Sequence, residues 1–536
     1  MASRFVLVGL SRLTVRVART IAERDDAELV VLSDADPERL AERLPPGCRV
    51  LPLGGDAVEA LRAADAAGAA CILALAEDER DNLDAALAAD AVAPRVPLVL
   101  RSFDPVLAAR LEEGSNVRRS FSVSRLAAPA FVAAALSDEV LHTLRVDDTE
   151  LPLLRLRVGS SLAGDTPEAI LSRRGVTVLA RAADGAWTVE PGAGPALRDG
   201  EEAVVGGELH DVLRLAFANA ELPRGRRSRR GPREELERIR AGGPTLLPWV
   251  GLALLLLLVA NVVVFGVALG LAPVDALYFS VTTAFGDPGL SDEQDWLKVF
   301  GVASMILGGA LIGVVFSQLA SIATANRLDA RAGRRARRLR GHAIVVGLGT
   351  IGYRIERLLF ELGIPAVVLE LDPDTRFAAA VAERTPVLAG DVRVLENLER
   401  AGAGRAAMLF ACTSDDLTNI AACLQGRRLH PNLRAVARVF DDALADRVRT
   451  GLGMTAISAT GVAATAFAGA ALDALARRSF ELGGERWIAM RWEPGREVPE
   501  DERARLRAGG VAVLGGSGTA LAIAGPEEAV ARLVPG

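Results

Sequence analysis

The sequence contains few of the residues that build metal and catalytic sites. Among its 536 residues there are four cysteines, four histidines, two tyrosines and a single lysine. The cysteines and histidines are Cys48, Cys71, Cys412, Cys423, His142, His210, His342 and His430. Neither set has the short spacing of metal ligands, and the cysteines form no CxxC pair. We therefore predict free thiols, no metal site and no disulfide framework.

The same scarcity disfavours catalysis. No histidine, lysine or tyrosine stands where a catalytic pair is recognisable, so we predict that the chain is not an enzyme. A dehydrogenase is the alternative that we weigh against this prediction. The opening MASRFVLVGL has no cleavable signal pattern, which predicts a cytoplasmic amino terminus.

Two long apolar runs occupy the middle of the chain. Residues 249–272 carry one polar side chain, Asn261, and as a helix they would extend about 36 Å, enough to cross a hydrocarbon core of ~30 Å. Residues 296–325 are long enough to cross back, and their Gly309 and Gly313 form a GxxxG pair. We predict two transmembrane helices, with buried core helices as the alternative.

Flanking charges predict the orientation of these helices. Arginines precede the first run and follow the second, whereas the interval between the runs is acidic, with Asp275, Asp287, Asp292, Glu293 and Asp295. By the positive-inside rule, both outer ends and both termini are cytoplasmic and the interval faces outside. A nucleic-acid patch is the alternative for the arginines, and we predict no nucleic-acid partner.

The interval has the plan of a re-entrant pore loop, because Pro273 and Asp275 suit the start of a short helix. DALYFSVTT, TAFGD and MILGGALIGVVFSQLASI resemble the pore helix, filter and inner helix of two-transmembrane potassium channels gated by RCK domains. The candidate pore filter is Thr282, Thr283, Ala284, Phe285, Gly286 and Asp287. The resemblance implies that backbone carbonyls of this segment line a potassium path surrounded by four copies of the chain.

Ala284 stands where the resembling family has a glycine whose backbone conformation is unfavourable for L-residues. We therefore predict a distorted path that conducts cations with weak discrimination between potassium and sodium. If the alignment with the resembling family is anchored on residues 278–283 instead, residues are missing from this chain before the filter. A generic extracellular hairpin is a further alternative.

A strand–turn–helix–strand pattern typical of mononucleotide binding opens the chain. Its first strand leads into Gly9, and its second ends at Asp34 and Asp36. Ser11 and Thr14 replace two glycines of the GxGxxG motif, so a phosphate would approach the helix less closely. We predict weaker nucleotide binding here, with a purely structural copy as the alternative.

The pattern recurs after the apolar runs with its motif complete. Gly347, Gly349 and Gly352 follow a predicted strand, and Glu370 ends the next one. Such glycines allow a tight turn and close approach of a pyrophosphate, and the acidic residue suits a ribose 2′-hydroxyl. We predict an NAD-type nucleotide here, with a non-binding Rossmann-like core as the alternative.

Further motifs repeat in the same order in both halves. GD recurs at 55–56 and 390–391, and RxFD recurs at 101–104 and 438–441. The set GLGTIG, GD, TSDDLTN and ARVFDD resembles the RCK or Trk-type regulator domains of potassium channels and uptake systems. The resemblance implies paired domains that bind NAD or a related adenine nucleotide. The implied ligand-site residues are Gly347, Gly349, Gly352, Glu370, Asp372, Asp391, Thr413 and Arg438, with Gly9, Ser11, Asp34 and Asp56 in the first copy.

Short strands separated by turns follow each repeat and resemble the small carboxy-terminal RCK lobe. We predict α/β Rossmann-like RCK domains in two copies, small β-rich C-lobes and an α-helical two-transmembrane pore module with a re-entrant loop. The predicted segments are the first N-lobe (1–145), its C-lobe (150–217), a basic linker (218–246), the pore module (247–326, pore loop 273–296), a second basic linker (327–341), the NAD-binding second N-lobe (342–478) and a degenerate C-lobe (480–536).

These patterns together predict a nucleotide-regulated cation channel, with potassium as the permeant ion. The predicted protein is a multi-pass protein in the lipid bilayer of the cell membrane, and it assembles as a homotetramer. A non-conducting, membrane-anchored NAD-sensing subunit of a potassium transport system is the alternative.

Overall fold

A computed structural model of the chain divides it into two compact units, residues 1–226 with 335–536 and residues 227–334. The structure describes residues 3–23, 27–34, 43–137, 139–146, 149–183, 186–220, 247–285, 294–372, 374–472, 478–482, 484–492, 494, 496–516 and 521–533.

The first unit opens with a Rossmann-like lobe. Its elements are β1 (Ser3–Val8), α1 (Arg12–Ala22), β2 (Ala27–Leu32), β3 (Arg49–Leu51), α2 (Ala57–Ala63), β4 (Cys71–Ala74), α3 (Glu79–Val92), β5 (Leu98–Arg101), α4 (Pro105–Gly114), β6 (Val117–Phe121) and α5 (Val123–Leu136). The strands form a parallel sheet in the order β3-β2-β1-β4-β5-β6. Its central strands are apolar on both faces because helices cover both sides.

A small antiparallel lobe follows. Its elements are β7 (Glu139–Val146), β8 (Thr149–Arg157), α6 (Pro167–Arg174), β9 (Val176–Ala183), β10 (Ala186–Val189), β11 (Glu202–Gly207) and α7 (Leu209–Asn219). The sheet order is β10-β9-β11-β8-β7, so the predicted β-rich lobe is present.

Three helices make up most of the described part of the second unit: α8 (Leu247–Leu269), α9 (Pro273–Phe285) and α10 (Asp295–Arg338). The stretches Trp249–Leu269 and Asp295–Ser317 are long and apolar enough to cross a membrane. Ser304 Oγ donates to Asn261 Oδ1 at 2.8 Å, which gives a partner to the one polar side chain of the first run. Helix α10 continues through most of residues 327–341, predicted as a linker, because alanine and arginine are strong helix formers.

The Rossmann-like lobe is then repeated in the first unit. Its elements are β12 (Ala343–Val346), α11 (Thr350–Glu361), β13 (Ala366–Glu370), α12 (Ala378–Ala382), β14 (Val387–Ala389), α13 (Leu395–Arg400), β15 (Met408–Ala411), α14 (Asp416–Leu429), β16 (Arg434–Val439), α15 (Asp442–Leu452), β17 (Thr455–Ser458) and α16 (Ala459–Ala471). The parallel order β14-β13-β12-β15-β16-β17 matches the first sheet strand for strand. The predicted pair of Rossmann-like lobes is therefore confirmed.

A second antiparallel lobe ends the chain. Its elements are β18 (Arg478–Leu482), β19 (Glu485–Trp492), α17 (Glu500–Ala508), β20 (Ala512–Gly515), β21 (Leu521–Pro526) and α18 (Glu527–Leu533). The sheet order is β18-β19-β21-β20. It packs on the first antiparallel lobe through a common core that includes Leu153, Leu179, Trp487 and Leu514.

Each Rossmann-like lobe contributes one helix that packs on the other lobe. Helix α16 of the second lobe packs on α1 of the first, and α5 of the first packs on α11 of the second. Phe121, at the end of β6, meets Phe467 of α16 edge to face, with 5.1 Å between ring centroids. One continuous apolar core therefore joins both lobes.

Candidate nucleotide site

The glycine loop of the second lobe is shaped by three different constraints. Gly347 has φ +87°, a left-handed conformation that favours glycine, and a Cβ there would lie 3.0 Å from Thr413 N. A Cβ on Gly352 would lie 1.9 Å from the Gly347 carbonyl oxygen, so this glycine lets α11 pack on the strand. A Cβ on Gly349 would meet nothing within 4 Å, so the space beside this residue is open. These are the three roles that glycines have in a dinucleotide loop.

Helix α11 presents its amino terminus to this open space. Its N-cap is Gly349, and among the described residues no side chain caps the helix. The first N–H groups of a helix have no partner within it and carry partial positive charge. The loop therefore offers an anion both room and hydrogen-bond donors.

Glu370 ends β13 beside the glycine loop. Its Oε2 accepts a short hydrogen bond from Leu348 N, and its Oε1 accepts from Leu371 N at 2.7 Å and from Asp372 N at 3.2 Å. The carboxylate is thus held against the loop, where a ribose of a bound dinucleotide would lie.

Asp391 and Asp372 lie in the turns that follow the neighbouring strands. Asp391 Oδ2 accepts from Arg393 Nη2 at 2.7 Å, and this hydrogen bond lowers the pKa of Asp391. Asp372 Oδ1 accepts from Asp374 N at 3.0 Å. Both carboxylates are engaged locally, so a ligand would have to share them with these partners.

The opposite wall of the site is built around Asn419, which is buried. Asn419 Oδ1 accepts from Thr413 N at 2.9 Å and from Thr413 Oγ1 at 2.8 Å. Its Nδ2 donates to Arg438 O at 2.9 Å, and Arg438 Nη1 donates to Thr413 O at 3.3 Å. The structure therefore brings the predicted residues Thr413 and Arg438 together, and burial lowers the pKa of the Arg438 guanidinium.

The glycine loop of the first lobe is filled by its own side chains. Ser11 Oγ donates to Leu75 O at 2.7 Å and caps α1 by accepting from Thr14 N at 3.1 Å. Thr14 Oγ1 donates to Gly9 O at 2.8 Å. The hydroxyls thus take both the space and the helix N–H group that remain open in the second lobe.

The acidic residues of the first lobe are also directed elsewhere. Asp34 Oδ1 accepts from Leu53 N at 2.9 Å and Gly54 N at 2.6 Å. Asp56 caps α2 by accepting from Val58 N at 2.8 Å. The predicted Asp36 lies outside the described residues.

A contact between the lobes lies next to Arg438 and was not predicted from the sequence. The guanidinium carbons of Arg12 and Arg438 lie 4.2 Å and 4.5 Å from the centroid of the Phe440 ring. Arg16, one turn after Arg12 in α1, forms an ion pair with Asp442. The sequence shows two arginines four residues apart in α1 and an FDD sequence after β16. It does not show that α1 packs against this FDD segment.

The structure places four residues of the predicted pore filter at the end of helix α9. Thr282, Thr283, Ala284 and Phe285 continue helix α9 instead of forming an extended filter. Thr282 Oγ1 and Thr283 Oγ1 both bond Phe279 O, at 2.9 Å and 2.8 Å, and alanine favours the helix. Gly286 and Asp287 lie outside the described residues.

Comparison with known proteins identifies the repeated lobes. The sequence profile of the TrkA-N domain matches residues 5–119 and 343–459. The chain therefore contains two TrkA-N domains, which confirms the predicted regulator-type repeats.

Curated relatives match over part of the chain. The glutathione-regulated potassium-efflux system protein KefC of Enterobacter sp. (strain 638) is 33% identical over 98 residues, 18% of this chain and 16% of that protein. KefC of Escherichia coli O139:H28 (strain E24377A / ETEC) is 28% identical over 151 residues, 28% of this chain and 24% of that protein. The chain thus spans about a quarter or less of the length of these relatives.

Among solved structures, the crystal structure of the GsuK RCK domain matches 99% of this chain and 94% of its own chain, with a TM-score of 0.50 and 16% identity. The GsuK channel matches 99% of this chain and 78% of its own, with the same TM-score and identity. At this identity the similarity defines the fold alone.

Proposed function

We propose that the chain is a nucleotide-regulated potassium-transport protein of the cell membrane. In this proposal the second TrkA-N domain holds NAD or a related adenine nucleotide. The open space at Gly349, beside an uncapped helix amino terminus and the Glu370 carboxylate, is the observation that carries it. The potassium-efflux function named for the KefC relatives supports the choice of ion.

We further propose that the transport form is a channel. Helices α8 and α10 would cross the bilayer with both termini cytoplasmic, and four copies would surround a path near the carboxyl end of α9. The last four carbonyls of a helix have no partners within it, so the end of α9 offers acceptors to a cation. Nucleotide binding would favour the open or the closed state through unequal affinity for the two.

The second candidate is a membrane-anchored NAD sensor that conducts no ions. The continuation of α9 through Phe285 favours it, because an extended filter needs these residues in a non-helical conformation. In both candidates we propose that the nucleotide is an effector and not a hydride donor.

The test is potassium flux from liposomes that contain the purified full chain. We expect NAD to change the flux in the unmodified protein and to have no effect in Gly349→Val. The matched control is Gly451→Val, because Gly451 also has open space around its Cβ position but lies in α15, outside the loop.

If NAD did not change the potassium flux of the unmodified protein, nucleotide regulation would be contradicted. NAD binding without flux at any nucleotide concentration would favour the non-conducting sensor. Turnover of reduced nicotinamide with a carbonyl substrate would contradict the effector role.

A further inference from the structure

Two adjoining cavities lie between the carboxyl end of α5 in the first Rossmann-like lobe, the β-rich lobe that follows it and the second Rossmann-like lobe. Their volumes are about 310 Å³ and about 370 Å³. Arg434, the first residue of β16, lines both cavities. The glycine loops follow the carboxyl ends of parallel strands, whereas Arg434 begins its strand, so the cavities lie at the opposite edge of the sheet.

Arginines dominate the charged lining of these cavities. Arg157 and Arg434 line the smaller one, and Arg427 and Arg434 line the larger. Among the described residues the one carboxylate in either lining is Asp199, in the smaller cavity. The larger cavity therefore has positive side chains without an acidic neighbour in its described wall.

The guanidinium groups use few of their hydrogen-bond donors. Arg427 Nη1 donates to Gly453 O at 2.8 Å, and Arg434 Nη1 donates to Ala135 O at 3.1 Å. Arg427 Nε is buried and has no partner among the described residues. Each guanidinium carries five N–H donors in a planar arrangement that matches phosphate oxygens, so most of this capacity is unused.

We propose that the cavities around Arg434 form a second ligand site, separate from the glycine loops, that binds a phosphorylated anion. Their volumes fall in the range of small-molecule sites. Phosphate oxygens would bond Arg427 and Arg434 from the larger cavity, and the smaller one would hold the remainder of the ligand.

Occupation of this site would change how the two TrkA-N domains are joined. Arg434 belongs to the second Rossmann-like lobe and donates to Ala135 O near the carboxyl end of α5, which belongs to the first lobe. An anion on the remaining donors of Arg434 would share the guanidinium with that carbonyl. Because α5 also packs on α11 beside the second glycine loop, the anion and NAD would alter each other's affinity by the same factor.

The test is calorimetric titration of the full chain in detergent with inorganic pyrophosphate. Saturating NAD blocks the glycine loop of the second lobe, and ionic strength is held constant. We expect Arg427→Gln to weaken pyrophosphate binding at least tenfold while it leaves the Arg434–Ala135 contact in place. Arg428→Gln is the matched control, because Arg428 is exposed on the same helix, lies outside both linings and should leave binding unchanged.

Equal affinity in the three proteins, or no binding to the unmodified protein, would overturn the proposal. Hydrogen exchange of the unmodified protein gives a second test that needs no variant. Pyrophosphate should slow exchange over residues 133–137 and 431–436, and unchanged exchange there would also overturn it. The binding itself does not depend on the proposed NAD site, since loss of NAD binding would leave the effect of Arg427→Gln intact.

Discussion

At the residue scale, the two glycine loops differ in whether their own side chains fill them. In the first lobe, Ser11 and Thr14 place hydroxyls on Leu75 O and Gly9 O. In the second, the corresponding positions are glycines, and the space at Gly349 is open. Glycines in place of these hydroxyl side chains therefore leave the second loop with open space and with helix N–H groups that no described side chain caps.

Gly349→Val should weaken NAD binding by roughly 100-fold, equivalent to about 2.7 kcal/mol, because its side chain would occupy the space of the pyrophosphate. Folding should survive, since a Cβ there meets no neighbour within 4 Å. Calorimetry on the full chain measures the change. Asp34→Ala is the control and should bind as the unmodified protein does. Undiminished binding in Gly349→Val together with loss in Asp34→Ala would place the nucleotide in the first lobe.

His342 should make stability depend on pH. It is buried, its Nε2 bonds Ala401 O at 2.8 Å, and burial lowers its pKa from 6.5 to about 4. At a pH between these two pKa values, His342 is protonated in the unfolded chain and neutral in the folded chain. The free energy of unfolding therefore decreases as pH falls. The loss is about 3 kcal/mol when complete.

Thermal unfolding at pH 7.5 and at pH 5 tests this effect. We expect His342→Gln to lose less stability than the unmodified protein between these values, because it removes the group that titrates. His210→Gln is the control, since the His210 side chain is about half exposed. An identical pH response in His342→Gln and the unmodified protein would show that His342 is not responsible.

At the element scale, helices α5 and α16 join the lobes. Phe467 of α16 is fully buried against Phe121 and belongs to the core that both lobes share. The association of the lobes therefore depends on apolar burial more than on the few polar contacts between them.

Phe467→Ala should destabilise the first unit by about 3–5 kcal/mol, because it leaves a cavity in this shared core. Urea unfolding monitored by tryptophan fluorescence measures the loss. Leu417→Ala is the control, since Leu417 is 76% exposed and its truncation should change stability by less than about 0.5 kcal/mol. If both variants unfolded at the same urea concentration, α16 would not be a structural link.

Local patterns predicted most elements, and tertiary contacts decided the others. The apolar strands beside Gly9 and Gly347 and the helix start at Pro273 follow from periodicity and turn residues. The packing of α5 and α16 on the opposite lobe depends on docking, which leaves no periodic signal in one sequence. The helical state of Phe285 was likewise not anticipated, because the filter resemblance implies a non-helical segment at this residue.

The site was predictable to a similar extent. Gly347, Gly349, Gly352 and Glu370 follow a spacing whose geometry is known, and the structure brings them together around one open space. The position of Arg12 next to the site could not be predicted from the sequence, because it depends on how α1 packs against Phe440.

At the scale of the whole molecule, one chain contains an internally paired set of TrkA-N domains. The proposed homotetramer would carry eight of them, and in the proposed orientation all eight would lie on the cytoplasmic side of the membrane. That arrangement requires the segment between α9 and α10 to face outside.

A cysteine at Glu293 tests this orientation. An impermeant thiol reagent added outside intact cells should label Glu293→Cys, because the acidic interval is predicted to be extracellular. Arg338→Cys, at the end of α10, should be labelled only after the membrane is opened. The reverse pattern would contradict the two-span orientation.

The most direct test of nucleotide-regulated conduction is the reversal potential of the purified full chain in a planar bilayer under a potassium–sodium gradient, with and without NAD. We predict a cation current that NAD changes. Its reversal potential should lie between zero and the potassium equilibrium potential, because we predict that Ala284 distorts the ion path. A reversal at the potassium equilibrium potential would contradict the weak discrimination, and the absence of current under every nucleotide condition would contradict the channel itself.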